Sequence, residues 1–212
     1  MKKISIFRNQ DITWIKKIKL YKDIFWESPW EEWFICKNCK WIYSKVFMSS
    51  CNCWDSILVP FYKNEELRKV FNDLSLKQNF QELVACILDN NVWFISWWNS
   101  SIEDLNKDKL LLNWDQFKDL SINILKIIED FDLEDFYYFA EIWIKKDFRW
   151  NDIAWSLYRE NLDRLKQRWE KYILVRTTRK SDLPYKWLVR EWYKEVFLYN
   201  DEQDRVILVY KI

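Results

Sequence analysis

The sequence predicts a mixed α/β (α+β) layer carrying a small inserted module, and three observations predict it. Strand-like and helix-like patterns are interleaved along the chain, with no internal repeat and no low-complexity segment. The 212 residues are enough to bury one sizeable core. Four of the five cysteines fall between about residues 29 and 57, where hydrophobic periodicity breaks down.

Taken in order, Lys3 to Arg8 reads as a short strand, and Ile12, Ile15, Ile18, Leu20, Tyr21 and Ile24 recur at amphipathic-helix spacing. After the cysteine-bearing segment, Asn64 to Leu76 returns to helix, with Leu67, Val70, Phe71 and Leu74 on one side. Leu83 to Leu88 and Val92 to Trp97 are β-rich runs joined by Asp89-Asn90-Asn91, a hairpin signature. Asp115 to Phe131 is a long helical pattern. Phe136 to Ile144 is the most aromatic strand candidate, its rings expected in the core and on the sheet faces. A helix from about Asp152 to Arg168, strands at Tyr172 to Thr177, Glu195 to Tyr199 and Arg205 to Lys211, and a short helix between Tyr185 and Glu191 complete the chain. The division is therefore 1–28 for the first strand and helix, 29–57 for the insertion, and 58–212 for the remainder.

Composition narrows the chemistry. The chain contains no glycine and 16 tryptophans, whereas a globular chain of this length ordinarily carries roughly 15 glycines. Tryptophans occur where chains usually turn: in Ser96-Trp97-Trp98-Asn99-Ser100-Ser101, in Cys53-Trp54-Asp55 and in Glu191-Trp192-Tyr193. Glycine alone adopts positive φ cheaply at such places. Some bacterial lineages read the codon UGA as glycine where other code tables give tryptophan, so most of these positions are expected to be glycine in the natural product. Lys plus Arg total 34 against 33 Asp plus Glu, a net charge of +1. That balance offers no global field for nucleic acid or an anionic membrane, so neither is expected as a partner. No charge-poor apolar run is long enough to span a bilayer, and a cytoplasmic protein is expected. Histidine is absent, which leaves carboxylate, Tyr, Lys, Cys and backbone groups to carry any chemistry.

Cys36-Lys37-Asn38-Cys39 and Cys51-Asn52-Cys53 form two close thiol pairs. Four thiolates can close a tetrahedral Zn2+ site and order a segment too small for a core of its own. A zinc-ribbon-like structural site on Cys36, Cys39, Cys51 and Cys53 is the expectation, with disulfides and a redox pair as lesser alternatives. Cys86, inside a strand pattern, reads as a core thiol.

The segment from Glu141 to Leu157 is a strand, a turn and a helix start, an arrangement in which backbone N–H groups and the positive end of a helix can hold a pyrophosphate. Read with glycine at positions 150 and 155, it becomes Arg-Gly-Asn-Asp-Ile-Ala-Gly. This resembles the loop of the GNAT superfamily of acyl-CoA N-acyltransferases, Arg/Gln-x-x-Gly-x-Gly/Ala, with Arg149 first and Ala154 last. Asp152 stands at the pattern's central glycine, where it would have to turn away from the phosphates or cap the helix. Downstream, Tyr172 to Thr177 is similar to the family's fifth strand, which splays from the fourth. Leu188 to Val196 resembles the helix that ends in a Gly-Phe-x-x-Val turn, with Trp192 at the glycine. Leu188 occupies the position where relatives often carry a tyrosine. The resemblance covers roughly 60–212 and the first strand and helix.

The resemblance implies a mostly antiparallel central sheet flanked by helices, and transfer of an acetyl group from acetyl-CoA to a small-molecule or peptide amine by direct attack. It implies that the backbone of Ile142, Trp143 and Ile144 orients the acyl carbonyl. Arg149, Trp150, Asn151, Asp152, Ile153, Ala154 and Trp155 would hold the pyrophosphate, Glu141 would serve as general base, and Tyr185 as proton donor. Two alternatives stay open: a catalytically silent acyl-CoA-binding or protein-interaction module using the zinc segment, and an unrelated binder of nucleotide phosphates. The sequence does not fix the oligomeric state, and a homodimer is compatible with it.

Overall fold

The structure, a computed structural model, describes residues 4–8, 14–25, 34–36, 38, 42–43, 53, 58–60, 62–87, 90–144, 146–148, 153–180, 184–199 and 204–212. The chain forms two compact units, one of residues 1–76, 82–95 and 143–154, the other of 77–81, 96–142 and 155–212.

In the first unit, β1 (Ile4–Arg8) lies antiparallel to β5 (Gln81–Ile87), with Ile4 opposite Ile87 and Arg8 opposite Leu83. β6 (Asn90–Ser100) continues this sheet. Two amphipathic helices belong to the same unit. α1 (Trp14–Phe25) buries Ile18 and Leu20, and α2 (Asn64–Ser75) buries Leu67, Phe71 and Leu74, the spacing of one helical face. Tyr21 packs edge-on against Tyr62 and Phe71 at 5.3 and 5.4 Å. Lys17 and Glu82 form a buried ion pair of 2.7 Å, the ammonium also lying 4.3 Å from the Phe71 ring centre. The cysteine-bearing segment contributes β2 (Phe34–Cys36), β3 (Ile42–Tyr43) and β4 (Leu58–Pro60), a separate antiparallel sheet in the order β3-β2-β4. Its pairing of Phe34 with Pro60 carries the small sheet past residue 57.

The second unit contains the end of β6, α3 (Ile102–Leu105), a π-helical turn (Asn106–Leu110), α4 (Trp114–Ile127), β7 (Phe136–Ile144, as far as Ile142), α5 (Ile153–Gln167, from Trp155 onward), β8 (Tyr172–Thr178), α6 (Pro184–Arg190), β9 (Lys194–Leu198) and β10 (Arg205–Lys211). Its strands run in the order β6-β7-β8-β10-β9. β7 and β8 are parallel, and β10 is antiparallel to both β8 and β9. A parallel pair needs a long crossover connection, usually a helix, and α5 lies in the one between β7 and β8. The apolar runs of β8 and β10, Tyr172 to Val175 and Val206 to Val209, are buried. Phe136, Tyr137, Tyr138 and Phe139 are buried as well, in keeping with their reading as sheet-face aromatics.

Two sequence expectations need correction. Trp97 and Trp98 do not sit in a turn: both lie within β6, each 1% exposed. The strand is covered there on both faces, and the Trp98 ring lies between Tyr138 at 5.1 Å and Phe80 at 6.5 Å. The helix expected from Asp115 to Phe131 stops at Ile127, and the segment before it, to which no element was assigned, holds α3 and the π-helical turn. Ser101 caps α3 by accepting from the Asp104 N–H at 3.0 Å, and an Asn113–Gln116 capping box opens α4. Among the described residues, no helix is long and apolar enough to cross a membrane.

Candidate active site

The second unit opens its sheet beside β7. Tyr137, Tyr138 and Phe139 pair with Ile173, Leu174 and Val175, and among the described residues the pairing ends there. Both strands continue, β7 to Ile144 and β8 to Thr178. β8 stays bound on its other side, where Arg176, Thr177 and Thr178 pair with Ile207, Val206 and Arg205. The consequence is a parallel pair that parts after Phe139 and Val175. A strand edge released in this way presents N–H and C=O groups that need partners, and an extended amide-bearing chain is a suitable one.

The sequence-derived candidates follow directly along the chain. Glu141, Ile142, Trp143 and Ile144 form the part of β7 beyond the last paired residue. A short 3₁₀ turn at Lys146–Phe148 follows, and α5 begins at Ile153. Arg149, Trp150, Asn151 and Asp152 lie outside the described residues. Ile153 is buried and Ala154 is half-buried. Trp155, in the first turn of α5, stacks on Tyr158 at 5.9 Å, meets Trp187 edge-on, and carries the Arg159 guanidinium 4.2 Å above its ring.

Tyr185 is half-buried in the first turn of α6, and its hydroxyl donates to Glu195 Oε2 at 3.0 Å. Arg179 Nε also donates to that oxygen, at 3.1 Å, while its Nη2 bonds Oε1. Burial and the Glu195 hydrogen bond push the Tyr185 phenol above its ordinary range, so it keeps its proton at neutral pH. Leu188, where the resemblance expects a tyrosine, is a core residue at 1% exposure.

A pair of phenols that the sequence reading did not single out lies between α5 and the end of α6. Tyr158 donates to the Tyr193 hydroxyl at 3.2 Å, and Tyr193 stacks on Tyr210 at 5.0 Å. Burial raises both phenols, the fully enclosed Tyr193 most clearly. The one sequence clue was position, since Tyr193 directly follows the suspected glycine at Trp192.

Two helix ends bear on the missing glycines. After α5, Trp169 has φ of 61°, its N–H reaches the Lys166 carbonyl and the Glu170 N–H reaches the Leu165 carbonyl, each at 3.1 Å. After α6, Trp192 has φ of 72°, with Trp192 bonded to Val189 at 3.1 Å and Tyr193 to Leu188 at 3.2 Å. Both are Schellman endings, whose left-handed position is normally glycine. The indoles are 89% and 81% exposed, so neither is held there by packing.

In the first unit, Cys36 Sγ and Cys53 Sγ lie 3.6 Å apart. The Asn38 N–H donates to Cys36 Sγ at 3.3 Å, and Asn38 Nδ2 lies 4.0 Å from Cys53 Sγ. Two thiolates on one tetrahedral zinc stand about 3.8 Å apart at Zn–S lengths of about 2.3 Å, so this pair fits such a metal. Cys39 and Cys51 lie outside the described residues. Among the described residues, no group of three or more His, Cys, Asp or Glu side chains is placed to hold a metal.

No family model matches the sequence, and no curated protein matches it. Solved structures do match its fold. The PaiA N-acetyltransferase of Thermoplasma acidophilum, in complex with coenzyme A, is 11% identical over 99% of each chain, with a TM-score of 0.55. Arabidopsis thaliana NAA60 in complex with acetyl-CoA is 12% identical over 99% of each chain, TM-score 0.53. A protein from Desulfovibrio desulfuricans described as an acetyltransferase of the GNAT family is 8% identical over 99% of each chain, TM-score 0.55. The chain therefore has the fold of the GNAT acetyltransferases: a mixed α/β layer whose central sheet is mostly antiparallel and flanked by helices.

Proposed function

We propose that the protein is an N-acetyltransferase that moves an acetyl group from acetyl-CoA to an amine. The observation that carries this reading is the parting of β7 and β8 after Phe139 and Val175, on a chain with the fold of proteins solved with coenzyme A and acetyl-CoA. The released edge of β7, Ile142 to Ile144, is suited to receive the amide-bearing arm and orient the thioester carbonyl. The pyrophosphate falls to Arg149, Trp150, Asn151, Asp152, Ile153, Ala154 and Trp155 at the start of α5, where N–H groups and the helix dipole favour an anion.

In the proposed reaction the amine nitrogen attacks the acetyl carbonyl, the C–N bond forms, and the C–S bond breaks. Glu141 takes the proton released by the amine, directly or through water. Tyr185 holds a proton for the departing thiolate. Its loss would place a phenolate beside Glu195, and Arg179 offsets that charge. The acceptor is a small-molecule or peptide amine.

The Cys36–Cys53 spacing and the Asn38 N–H bond to sulfur support a structural zinc completed by Cys39 and Cys51. The left-handed Trp169 and Trp192 support glycine at those positions in the natural product, and the same recoding would place glycine at 150 and 155 in the phosphate loop.

A thermal-shift screen of acyl-CoAs, followed by detection of free coenzyme A thiol over a panel of amines, tests the reading. Stabilisation by acetyl-CoA with amine-dependent thiol release is expected. Binding without turnover over a broad panel would favour a silent acyl-CoA module, and equal competition by adenosine nucleotides lacking pantetheine would favour a general phosphate binder.

A further inference from the structure

The acetyl-CoA site proposed above uses α5 only as far as Trp155. One turn further along the helix, Arg159 is exposed, and its guanidinium folds back to lie 4.2 Å from the centre of the Trp155 ring. Trp155 is itself stacked on the buried Tyr158 at 5.9 Å, which holds the ring that the guanidinium covers. A helix rises about 5.4 Å per turn and its side chains lean toward its N-terminus. The charge of Arg159 is thereby carried level with the first turn of α5.

That direction runs against the charges nearby. Asp163 stands four residues further on, the spacing at which opposite charges pair on a helix, and Glu160 is the next residue. Glu160 pairs with Arg164 instead, and among the described residues no carboxylate lies within ion-pair distance of Arg159. The first turn of α5 holds no acidic residue either. The N-terminal end of a helix carries roughly half a positive charge. The fold therefore adds a full cation to a helix end that is already positive, an arrangement that an anion stabilises.

The pyrophosphate accounts for only part of this charge. The N–H groups free to meet it belong to the first turn and point along the helix axis, since from Leu157 onward each N–H is bonded within the helix. Arg159 stands on the flank, where only a side chain can meet an anion. Coenzyme A carries a further phosphate, a monoester on the 3′-oxygen of its ribose, with a charge of about −1.5 to −2 at neutral pH. Its oxygens match the two parallel N–H bonds that a guanidinium offers.

We propose that Arg159 reads the 3′-phosphate of acetyl-CoA and so sets a preference for the phosphorylated cofactor over its dephospho form. The proposal rests on the acetyltransferase reading, and it makes Arg159 a specificity residue with no part in the chemical step. With glycine at position 155 the covered ring is gone, and the guanidinium is free to meet the phosphate.

Calorimetric titration of acetyl-CoA and acetyl-dephospho-CoA into the full chain and into its Trp150→Gly, Trp155→Gly variant tests this, each with Arg159 intact, as Arg159→Ala and as Arg159→Lys. With Arg159 intact, acetyl-CoA is expected to bind about tenfold or more tightly than the dephospho ligand, as a charge-assisted phosphate contact requires. Arg159→Ala should bring the two affinities together by weakening acetyl-CoA alone, and Arg159→Lys should restore part of the difference. An unchanged melting transition in both variants is the control for folding. Equal affinity of the two ligands with Arg159 intact would overturn the proposal and leave acetyl-CoA binding standing. So would a preference that survives Arg159→Ala. Absence of binding by either ligand to either form of the chain would sink the acetyltransferase reading itself, and the Arg159 assignment with it.

Discussion

The Tyr193 N–H reaches back to the Leu188 carbonyl at 3.2 Å, closing a helix end across Trp192, which sits at φ of 72°. The same closure recurs at Trp169 after α5. A β-carbon in the left-handed region crowds the following carbonyl and costs about 1–2 kcal/mol. Here two of the bulkiest side chains accept that cost while pointing into solvent.

Replacing these residues therefore has a definite sign. Trp169→Gly and Trp192→Gly are each expected to stabilise the fold by about 1 kcal/mol, the relief of left-handed strain exceeding the chain-entropy cost of glycine. Urea denaturation of the single variants measures this, and a loss of stability in both would contradict the assignment. Mass spectrometry of the native protein should find glycine at both positions.

Much of the fold was legible because it rests on local periodicity and turn residues. β7 and β10 fall on the bounds read from sequence, and α2, α5, α6 and β8 lie within a residue or two of theirs. What escaped was decided by packing. Trp97 and Trp98 carry the polar neighbours of a turn, yet both side chains of this stretch of β6 are buried, Trp98 against Phe80 and Tyr138. The π-helical turn could not be read from spacing, because it depends on the Asn106 side chain, which accepts from the Leu112 N–H at 2.8 Å and bridges Leu111 at φ of 55°. For the site, sequence supplied the order strand, turn, helix. The parting of β7 and β8 is a three-dimensional fact that no single segment encodes.

The thiol cluster makes a separate prediction. Purified protein should contain about one zinc per chain, lost in the Cys36→Ser, Cys53→Ser double variant. Metal analysis after exhaustive dialysis checks this. Full zinc retention in that variant would exclude the cluster as the site.

Glu170 predicts a pH dependence. Burial, with the Asp135 charge next, raises its carboxyl in the folded state, so the folded form prefers the proton. That preference contributes stability below the ordinary carboxyl range, and it is lost as pH rises through the raised value. Glu170→Gln should thus stabilise the protein at pH 7 and leave it nearly unchanged at acid pH, where Glu170 is already neutral. Thermal unfolding at the two pH values reads the difference, and an equal effect at both would show that Glu170 carries no such penalty.

Catalytic roles separate from binding roles by substitution. Glu141→Gln should lower turnover while leaving acetyl-CoA affinity nearly unchanged, because a general base acts on the amine and not on the phosphates. Steady-state rates with acetyl-CoA affinity measured in parallel check this, and unchanged turnover would move the base elsewhere.

The central claim, the proposal that residues 149–155 hold the pyrophosphate of acetyl-CoA, is tested most directly by calorimetric titration of acetyl-CoA into protein carrying Trp150→Gly and Trp155→Gly, with and without Arg149→Ala. An indole in that loop would keep backbone N–H groups from a pyrophosphate, so the glycine form should bind more tightly than the tryptophan form. Arg149→Ala should then weaken binding by about 1–3 kcal/mol, the loss of a charge-assisted phosphate contact. Equal affinity for the tryptophan and glycine forms, together with no effect of Arg149→Ala, would contradict the acetyl-CoA assignment.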